Sequence, residues 1–524
     1  MDHIALHTAD LLDLAATRWG EKPFLVDGQT TLSFSATRER VRFLGAALLS
    51  RGVSAGDKVA IWAPNCWEWV IGALATQYIG GTLVTLNTRY RGHEASQILR
   101  LSGARTLITI ANFLGTDYPA LLADEDCGDL IDIITIDGGD QDAFDTVMKT
   151  GKSALAQSDS SAQLALNAAR EAVSPEDTSD ILFTSGTTGT PKGVITRHDQ
   201  NLRAFSAFTD ILGLTAEDRY LIINPFFHSF GYKAGWLSCL LVGAEAHPVR
   251  VFDTEQVLAM IRDRRITCMP GPPTLFHALI HHPGLNAADV QSLSKVTTGA
   301  AVIPTELVES MWQVLGIETV ITAYGLSESC GLVTMCRRGD SAQIIATTSG
   351  RAIPDVEVAI MDADGQLLPH GETGEIVVRG FNVMQAYLDA PEATEQTIDT
   401  SGWLHTGDVG ALDTDGNLTI TDRLKDMYIS GGFNCYPAEI EQLLARHPAV
   451  SQAAIVGVPD ERLGEVGAAF LVATDGHQPD HSALHDWCRQ EMANYKVPAH
   501  FIWVDALPLN AAGKVLKTTL REML

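Results

Sequence analysis

The stretch Thr184-Ser-Gly-Thr-Thr-Gly-Thr-Pro-Lys-Gly193 decides how the rest of this chain is read. It follows a strand-like run, Asp180–Phe183, and passes directly into a second apolar run, Val194–Thr196. Its glycines let successive backbone N–H groups turn toward one anion. The hydroxyls of Thr184, Ser185, Thr187 and Thr188 add donors, and Lys192 adds a positive charge. These are the means for holding a polyphosphate. A flexible Gly/Thr linker is the plain alternative, but linkers rarely end in Pro-Lys-Gly between two strands. The stretch is not a Walker-type loop, which needs G-x-x-x-x-G-K-S/T opening a helix. Neither Lys192-Gly193 nor Gly513-Lys514-Val515 satisfies that spacing. No G-x-G-x-x-G turn stands between a strand and a helix, which argues against a nicotinamide enzyme.

Outward from this loop, strand-like and helical runs alternate. A helix capped by Thr8 carries Leu11, Leu12 and Leu14, and a second runs over Ser35–Arg51. Strands are expected at Val59–Ala63, Thr82–Leu86, Thr106–Ile110, Ile131–Ile136, Ile181–Thr184, Tyr220–Asn224, Lys295–Thr297 and Val320–Thr322, with a helix at Trp67–Tyr78. This is an α/β pattern of buried sheets between helices. Past Asp426 the runs shorten. Strands at Ala454–Gly457, Ala468–Val472 and Phe501–Val504 and helices at Ala438–Arg446 and His481–Met492 read as a small α+β unit. The expected organisation is a large multi-lobed N-terminal domain of layered sheets and helices, residues 1–424, and a small mobile α+β domain, residues 425–524. The joint falls in Thr421–Asp426.

The chain has 524 residues, 46% of them hydrophobic and 19% charged, which is globular composition and rules out disorder, collagen and coiled coil. With 37 Lys and Arg against 64 Asp and Glu, the net charge is −27. That balance argues against a nucleic-acid polymer or an anionic membrane surface as partner, but not against a small phosphorylated ligand. Asp124–Asp145 holds nine acids and no Lys or Arg, and reads as an exposed acidic patch around one strand. The start, Met1-Asp2-His3, lacks a signal-peptide pattern. The long apolar stretch Ile61–Leu86 is interrupted by Asn65, Glu68 and Gln77, unlike a membrane span. The eight cysteines are scattered, with neither disulfide nor zinc spacing. A cytoplasmic protein, monomeric or homodimeric, is expected.

The loop resembles the phosphate-binding signature of adenylate-forming enzymes: acyl- and aryl-CoA synthetases, peptide-synthetase adenylation domains and beetle luciferase. Further motifs follow in that family's order. Tyr324-Gly-Leu-Ser-Glu328 resembles its Tyr-Gly-x-Thr-Glu box, with Ser for Thr. Gly374-Glu-Ile-Val-Val-Arg-Gly380 resembles a core strand, and Trp403-Leu-His-Thr-Gly-Asp408 a ribose-binding segment. Asp422-Arg-Leu-Lys-Asp426 with Ser430-Gly-Gly-Phe-Asn-Cys-Tyr-Pro-Ala-Glu439 resembles the hinge and the loop after it. Asn510-Ala-Ala-Gly-Lys514 resembles the C-terminal catalytic-lysine motif. The resemblance covers nearly the whole chain.

It implies ATP, Mg²⁺ and CoA as reactants and cofactor, with a carboxylic acid as the group activated. Carboxylate attack on the α-phosphorus makes an acyl-adenylate, and a thiol then displaces AMP. By resemblance, Thr184, Ser185, Gly186, Thr187, Thr188, Gly189 and Lys192 hold the phosphates. Tyr324 and Gly325 meet adenine, with Gly299, Ala300 and Ala301 along its edge. Ser327 donates to the α-phosphate. Glu328, with Thr184, holds Mg²⁺. Asp408 and Arg423 bind the ribose hydroxyls. Lys514 bridges the carboxylate and the α-phosphate. Lys425 is the hinge, and Gly431, Gly432 and Phe433 line the pantetheine tunnel after domain rotation. Read singly, each of these acids is ordinary surface and the tyrosine ordinary core.

Asn224-Pro-Phe-Phe-His-Ser-Phe-Gly-Tyr-Lys-Ala-Gly235 is expected to line the acyl pocket. Phe227, Phe230 and Tyr232 would form apolar walls, and His228 would sit near the adenylate. A buried amine needs an acceptor, so Lys233 or Tyr232 is expected to donate to an acyl oxygen such as a ketone; otherwise Lys233 snorkels to solvent. Asn224–Gly235, Pro270–Thr274, Thr322–Glu328 and Thr421–Glu439 are similar to actinobacterial ligases of steroid C/D-ring breakdown. Those act on a methyl-dioxo-octahydroindenyl propanoate. A medium-chain, cyclic or aryl acid stays open, as do a carrier-protein-loading enzyme, a luciferase-like oxygenase and a non-catalytic nucleotide sensor. Arg250, Arg462 and Lys496 are candidates for the CoA 3′-phosphate on charge alone.

Overall fold

The computed structural model describes residues 6–139, 141–157, 161–184, 191–299, 303–423, 426–430, 433–460, 462–474, 481–492, 494–509 and 515–524, with backbone alone at 422, 423, 429, 433, 434, 439 and 494. A seven-stranded sheet runs in the order Ala386–Tyr387, Lys192–Arg197, Thr178–Thr184, Thr82–Thr85, Lys58–Trp62, Thr106–Ile110, Asp132–Ile136. The last five strands are parallel. Parallel strands are covered on both faces, which is why Thr82–Thr85 and Thr106–Ile110 are buried throughout. The crossover helix from Lys58–Trp62 to Thr82–Thr85, Trp67–Tyr78, is buried at every residue after Trp67. At the other edge Lys192–Arg197 turns back antiparallel, with Lys192 opposite Thr184. The phosphate-loop stretch therefore joins two antiparallel strands, and no helix opens at its end.

A nine-stranded sheet contains Arg219–Ile222, Cys268–Gly271, Lys295–Thr298 and Thr319–Tyr324 as parallel neighbours. Open α/β sheets bind ligands outside the carboxyl ends of their strands. Gly299 follows one such end, and the Tyr324–Glu328 box begins at another. Four antiparallel strands, Val356–Met361, Gly374–Gly380, Leu404–Leu412 and Leu418–Arg423, form a third sheet. The last sheet holds Tyr428–Ser430, Phe433–Cys435, Val450–Asp460, Gly464–Ala473 and His500–Trp503. Two apolar clusters within Tyr428–Leu520 contain no residue from before Tyr428, while the largest cluster runs from Ala9 to Leu404.

Three expectations need correction. The first helix, Thr8–Trp19, is capped by His7, whose ring accepts from the Asp10 N–H, and Leu14 is exposed while Leu11, Leu12, Ala15 and Ala16 face the core. The expected joint begins too early. Thr421–Arg423 completes the strand Leu418–Arg423, with Asp422 opposite Val409 and Arg423 opposite Asp408. The acidic segment is not wholly a solvated patch. Arg51 donates to Asp132 (2.7 Å, Nε) and meets Asp142 (2.7 Å), because a half-buried carboxylate needs a cation or donor.

Candidate active site

The phosphate-loop stretch is described only at its two ends. The Thr184 hydroxyl points to the Lys192 carbonyl across the base of the hairpin (3.5 Å). Ser185, Gly186, Thr187, Thr188 and Gly189 lie outside the described residues, as do Ala300, Ala301, Lys425, Gly431, Gly432 and Lys514. Arg423 and Phe433 are described by backbone alone.

The Tyr324–Glu328 box is a tight turn at the end of its strand. Cys330 takes a left-handed φ of 57° and Gly331 one of 97°. A Cβ at Gly325 would lie 2.4 Å from the Gly331 carbonyl carbon, so this position admits no larger residue. Gly299 packs beneath, where a Cβ would stand 3.4 Å from the Ala323 carbonyl oxygen. Ser327 and Glu328 occupy the short 3₁₀ turn that follows.

Long-range contacts then assemble the site. The Tyr324 hydroxyl donates to Asp408 Oδ2 (2.6 Å). The Tyr387 hydroxyl donates to Glu328 Oε1 (2.9 Å). Lys192 Nζ lies 4.8 Å from the centre of the Tyr387 ring, a cation–π contact. A chain of contacts thus leads from the hairpin base through Glu328 and the Tyr324 turn to Asp408. Burial and the Glu328 carboxylate push the Tyr387 phenol up.

Asp408 is positioned by a carboxylate that sequence reasoning passed over. Glu375 accepts from the Gly407 N–H (3.0 Å) and pairs with His405 Nδ1 (2.8 Å). The Thr406 hydroxyl donates to the Ile376 carbonyl (2.7 Å) and accepts from the Asp408 N–H (3.1 Å). Glu375 had a partial signal, since it lies in the quoted core strand. Tyr387 had none: it is one residue of a two-residue edge strand.

The acyl-side expectations divide. Phe227, His228 and Phe230 are half-buried, and His228 Nδ1 accepts from the Phe230 N–H (3.2 Å). Tyr232 and Lys233 are each 1% exposed and face inward. Lys233 Nζ pairs with Asp180 Oδ1 (2.9 Å) and donates to Thr196 Oγ1 (3.0 Å). Asp180 also accepts from Thr196 Oγ1 (2.9 Å) and Asn201 Nδ2 (2.6 Å). Gln77 Nε2 donates to the Tyr232 hydroxyl (2.8 Å). The Lys233 charge is committed to a carboxylate inside the protein, which corrects both the ketone-donor and the snorkelling readings. The backbone here forms a π-helical turn, Tyr232–Leu237, with Gly235 outside helical geometry at its centre. Arg250, a phosphate candidate on charge, sits among Asp27 (3.7 Å), Glu68 (3.9 Å) and Asp137 (3.9 Å). Among the described residues no helix is long and apolar enough to cross a membrane.

Tyr387 and Tyr324 thus bring Lys192 at a hairpin base, the strand-end carboxylate Glu328 and Asp408 into one connected group. Family models agree along the chain: the AMP-binding enzyme model matches residues 12–388 and its C-terminal domain model residues 439–514. The chain belongs to the AMP-binding enzyme family. It is 48% identical over 523 residues to a protein of Rhodococcus jostii (strain RHA1), covering 98% of both chains. That relative is named 3-[(3aS,4S,7aS)-7a-methyl-1,5-dioxo-octahydro-1H-inden-4-yl]propanoyl:CoA ligase. A relative of the same name in Mycobacterium tuberculosis (strain ATCC 25618 / H37Rv) is 48% identical over 487 residues, 93% of this chain and 92% of that one. The solved structure of the anthranilate CoA ligase AuaEII in complex with anthranoyl-AMP matches with a TM-score of 0.87 at 25% identity, over 99% of this chain and 97% of that one.

Proposed function

We propose that this chain is an acyl-CoA ligase that adenylates a carboxylic acid with ATP and passes the acyl group to CoA, releasing pyrophosphate and AMP. The observation that carries the reading is the contact chain Lys192–Tyr387–Glu328 and Tyr324–Asp408, which joins a phosphate-type hairpin to a ribose-type acceptor. Both half-reactions move charge, so positioning and electrostatics supply most of the rate. Lys192 and the hairpin hydroxyls hold the phosphates, Ser327 donates to the α-phosphate, and Asp408 accepts from ribose. Glu328 and the Thr184 hydroxyl are hard oxygen donors of the kind Mg²⁺ prefers. When bound, Mg²⁺ neutralises charge on the polyphosphate.

The acid we assign is a bicyclic diketo-propanoate, on the support of 48% identity to two ligases named for that acid. Phe227 and Phe230 offer its apolar contacts. With Lys233 engaged elsewhere, the donors to the ketones are other groups. The test incubates the protein with ATP, Mg²⁺, CoA and that acid beside medium-chain, aryl and plain cyclic acids, and separates the nucleotides. AMP with acyl-CoA, and the highest kcat/KM for the diketo acid, is the expected result. ADP formation, transfer only to a holo carrier protein, or preference for an alkanoate would each overturn its part of the reading.

We also assign residues 425–524 as a domain that turns about Lys425, bringing Lys514 in for adenylation and Gly431–Phe433 in for the thiol. Lys514→Ala should cut adenylation at least 100-fold, on the order of a lost charge-stabilising contact. It should leave thioester formation from preformed acyl-AMP within about threefold. Equal loss in both half-reactions would remove the assignment.

A further inference from the structure

We infer that Tyr387 is a positioning residue of the nucleotide site, a spacer that holds Lys192 and Glu328 apart while orienting both. The inference rests on the proposed roles of those two residues, and deepens them. Tyr387 is 7% exposed and packs with Val194 and Met384. Its backbone is tied to the strand leaving the phosphate hairpin: Tyr387 pairs with Val194, the Leu388 N–H donates to the Gly193 carbonyl (2.7 Å), and the Gln385 N–H donates to the Ile195 carbonyl (2.9 Å). The same segment reaches the Tyr324–Glu328 turn, where the Met384 N–H donates to the Glu328 carbonyl (2.8 Å). Residues 384–388 therefore strap two motifs together through the backbone, and the Tyr387 side chain repeats the connection at the charged groups.

The physical need is specific. Lys192 and Glu328 are a flexible cation and a carboxylate converging on one site. In direct contact they would neutralise each other and compete with phosphate and metal. Instead each of them touches Tyr387. Its hydroxyl donates to Glu328 Oε1 (2.9 Å), and its ring face meets Lys192 Nζ (4.8 Å). Among the described residues no Lys192–Glu328 ion pair forms, and the Tyr387 hydroxyl is the donor to the Glu328 carboxylate. A phenol and a π face restrain both groups without cancelling either charge. Partners of this kind behind a metal-binding carboxylate typically change metal affinity by about 10–100-fold when removed.

Two variants separate the two contacts. Tyr387→Phe keeps the ring and loses the hydroxyl. It should raise the Mg²⁺ concentration for half-maximal adenylation by roughly tenfold, with the KM for ATP at saturating Mg²⁺ and kcat within about twofold. Tyr387→Leu removes the spacer as well, and should also raise the KM for ATP about three- to tenfold. Calorimetric titration of Mn²⁺·ATP into each protein, without acid or CoA, should give the same order of affinities. Thermal unfolding identifies folded variants, and Tyr387→Phe alone suffices if Tyr387→Leu does not fold. Unchanged Mg²⁺ dependence in Tyr387→Phe, or equal loss of kcat in both variants without a KM split, overturns the proposal. Glu328→Gln locates the fault: if it shifts the Mg²⁺ dependence and Tyr387→Phe does not, the spacer role alone is wrong. If Glu328→Gln shifts nothing, the reading of Glu328 falls and the proposal with it.

Discussion

Lys192 and Lys233 lie within one side-chain length of the same antiparallel pair of strands, yet the fold gives them opposite roles. Lys192 stands at the base of the hairpin and, among the described residues, its ammonium lies over the Tyr387 ring without a carboxylate partner. Lys233 lies on the π-helical turn after His228, 1% exposed, and meets Asp180 and Thr196. A charge removed from water must be paired and hydrogen-bonded inside the protein. One lysine is presented and the other is consumed, and burial rather than residue type makes the difference. Glu68 is a third case. It is buried, its Oε2 lacks a hydrogen bond among the described residues, and Arg250 comes only to 3.9 Å while shared with Asp27 and Asp137. Burial outweighs that distant cation and pushes the carboxyl up to about 7, so the acid moves toward its neutral form instead of finding a partner.

The comparison breaks first at Lys233. Lys233→Met should destabilise the fold by about 3–5 kcal/mol, because it strands the Asp180 charge. Adding Asp180→Asn should recover most of that loss. Urea unfolding of the single and double variants measures both, and a single variant within about 1 kcal/mol of the parent would show that the pair is not the buried unit described. Lys192→Met should do the reverse. Stability should change by less than about 1 kcal/mol, while kcat/KM for ATP falls roughly 10–100-fold through the lost charged contact to phosphate. Steady-state kinetics beside unfolding curves would expose the contrast as wrong if both lysines behaved alike.

The smallest effect is the pH dependence at Glu68. Its folded value is raised above the ordinary 4.5, so the native state binds the proton more tightly than the unfolded chain. Its stabilising contribution is complete below 4.5 and is lost as pH rises through about 7. Glu68→Gln should therefore be nearly neutral at pH 5 and stabilising by about 1–2 kcal/mol at pH 8. The same gain at both pH values would mean that Glu68 does not titrate in this window.

Legibility in the sequence followed the range of the interaction. The helix Trp67–Tyr78 and the strand Thr106–Ile110 have the bounds that their apolar runs predict, because periodicity and turn residues are local. The Thr8 cap failed because His7 competes for the same N–H groups through a side-chain nitrogen. The joint was placed too early because strand pairing opposite Asp408 and Val409 extends the preceding strand through Arg423. Lys233 was misread for a related reason. Its acceptor, Asp180, comes from a strand far earlier in the chain, and nothing beside Lys233 announces it.

By itself the sequence determined the class of chemistry: an ordered set of motifs of the AMP-binding enzyme family in an acidic chain of globular composition. Those readings depend on residue type and spacing, which short-range chemistry makes informative. Only the tertiary structure decided which of these groups meet and which charges are paired inside the protein. Tyr387 meets Glu328 across 59 residues and Tyr324 meets Asp408 across 84. Contacts at that separation exist because sheets bring distant strand ends together, and the burial they create sets whether a charge is offered, paired or discharged.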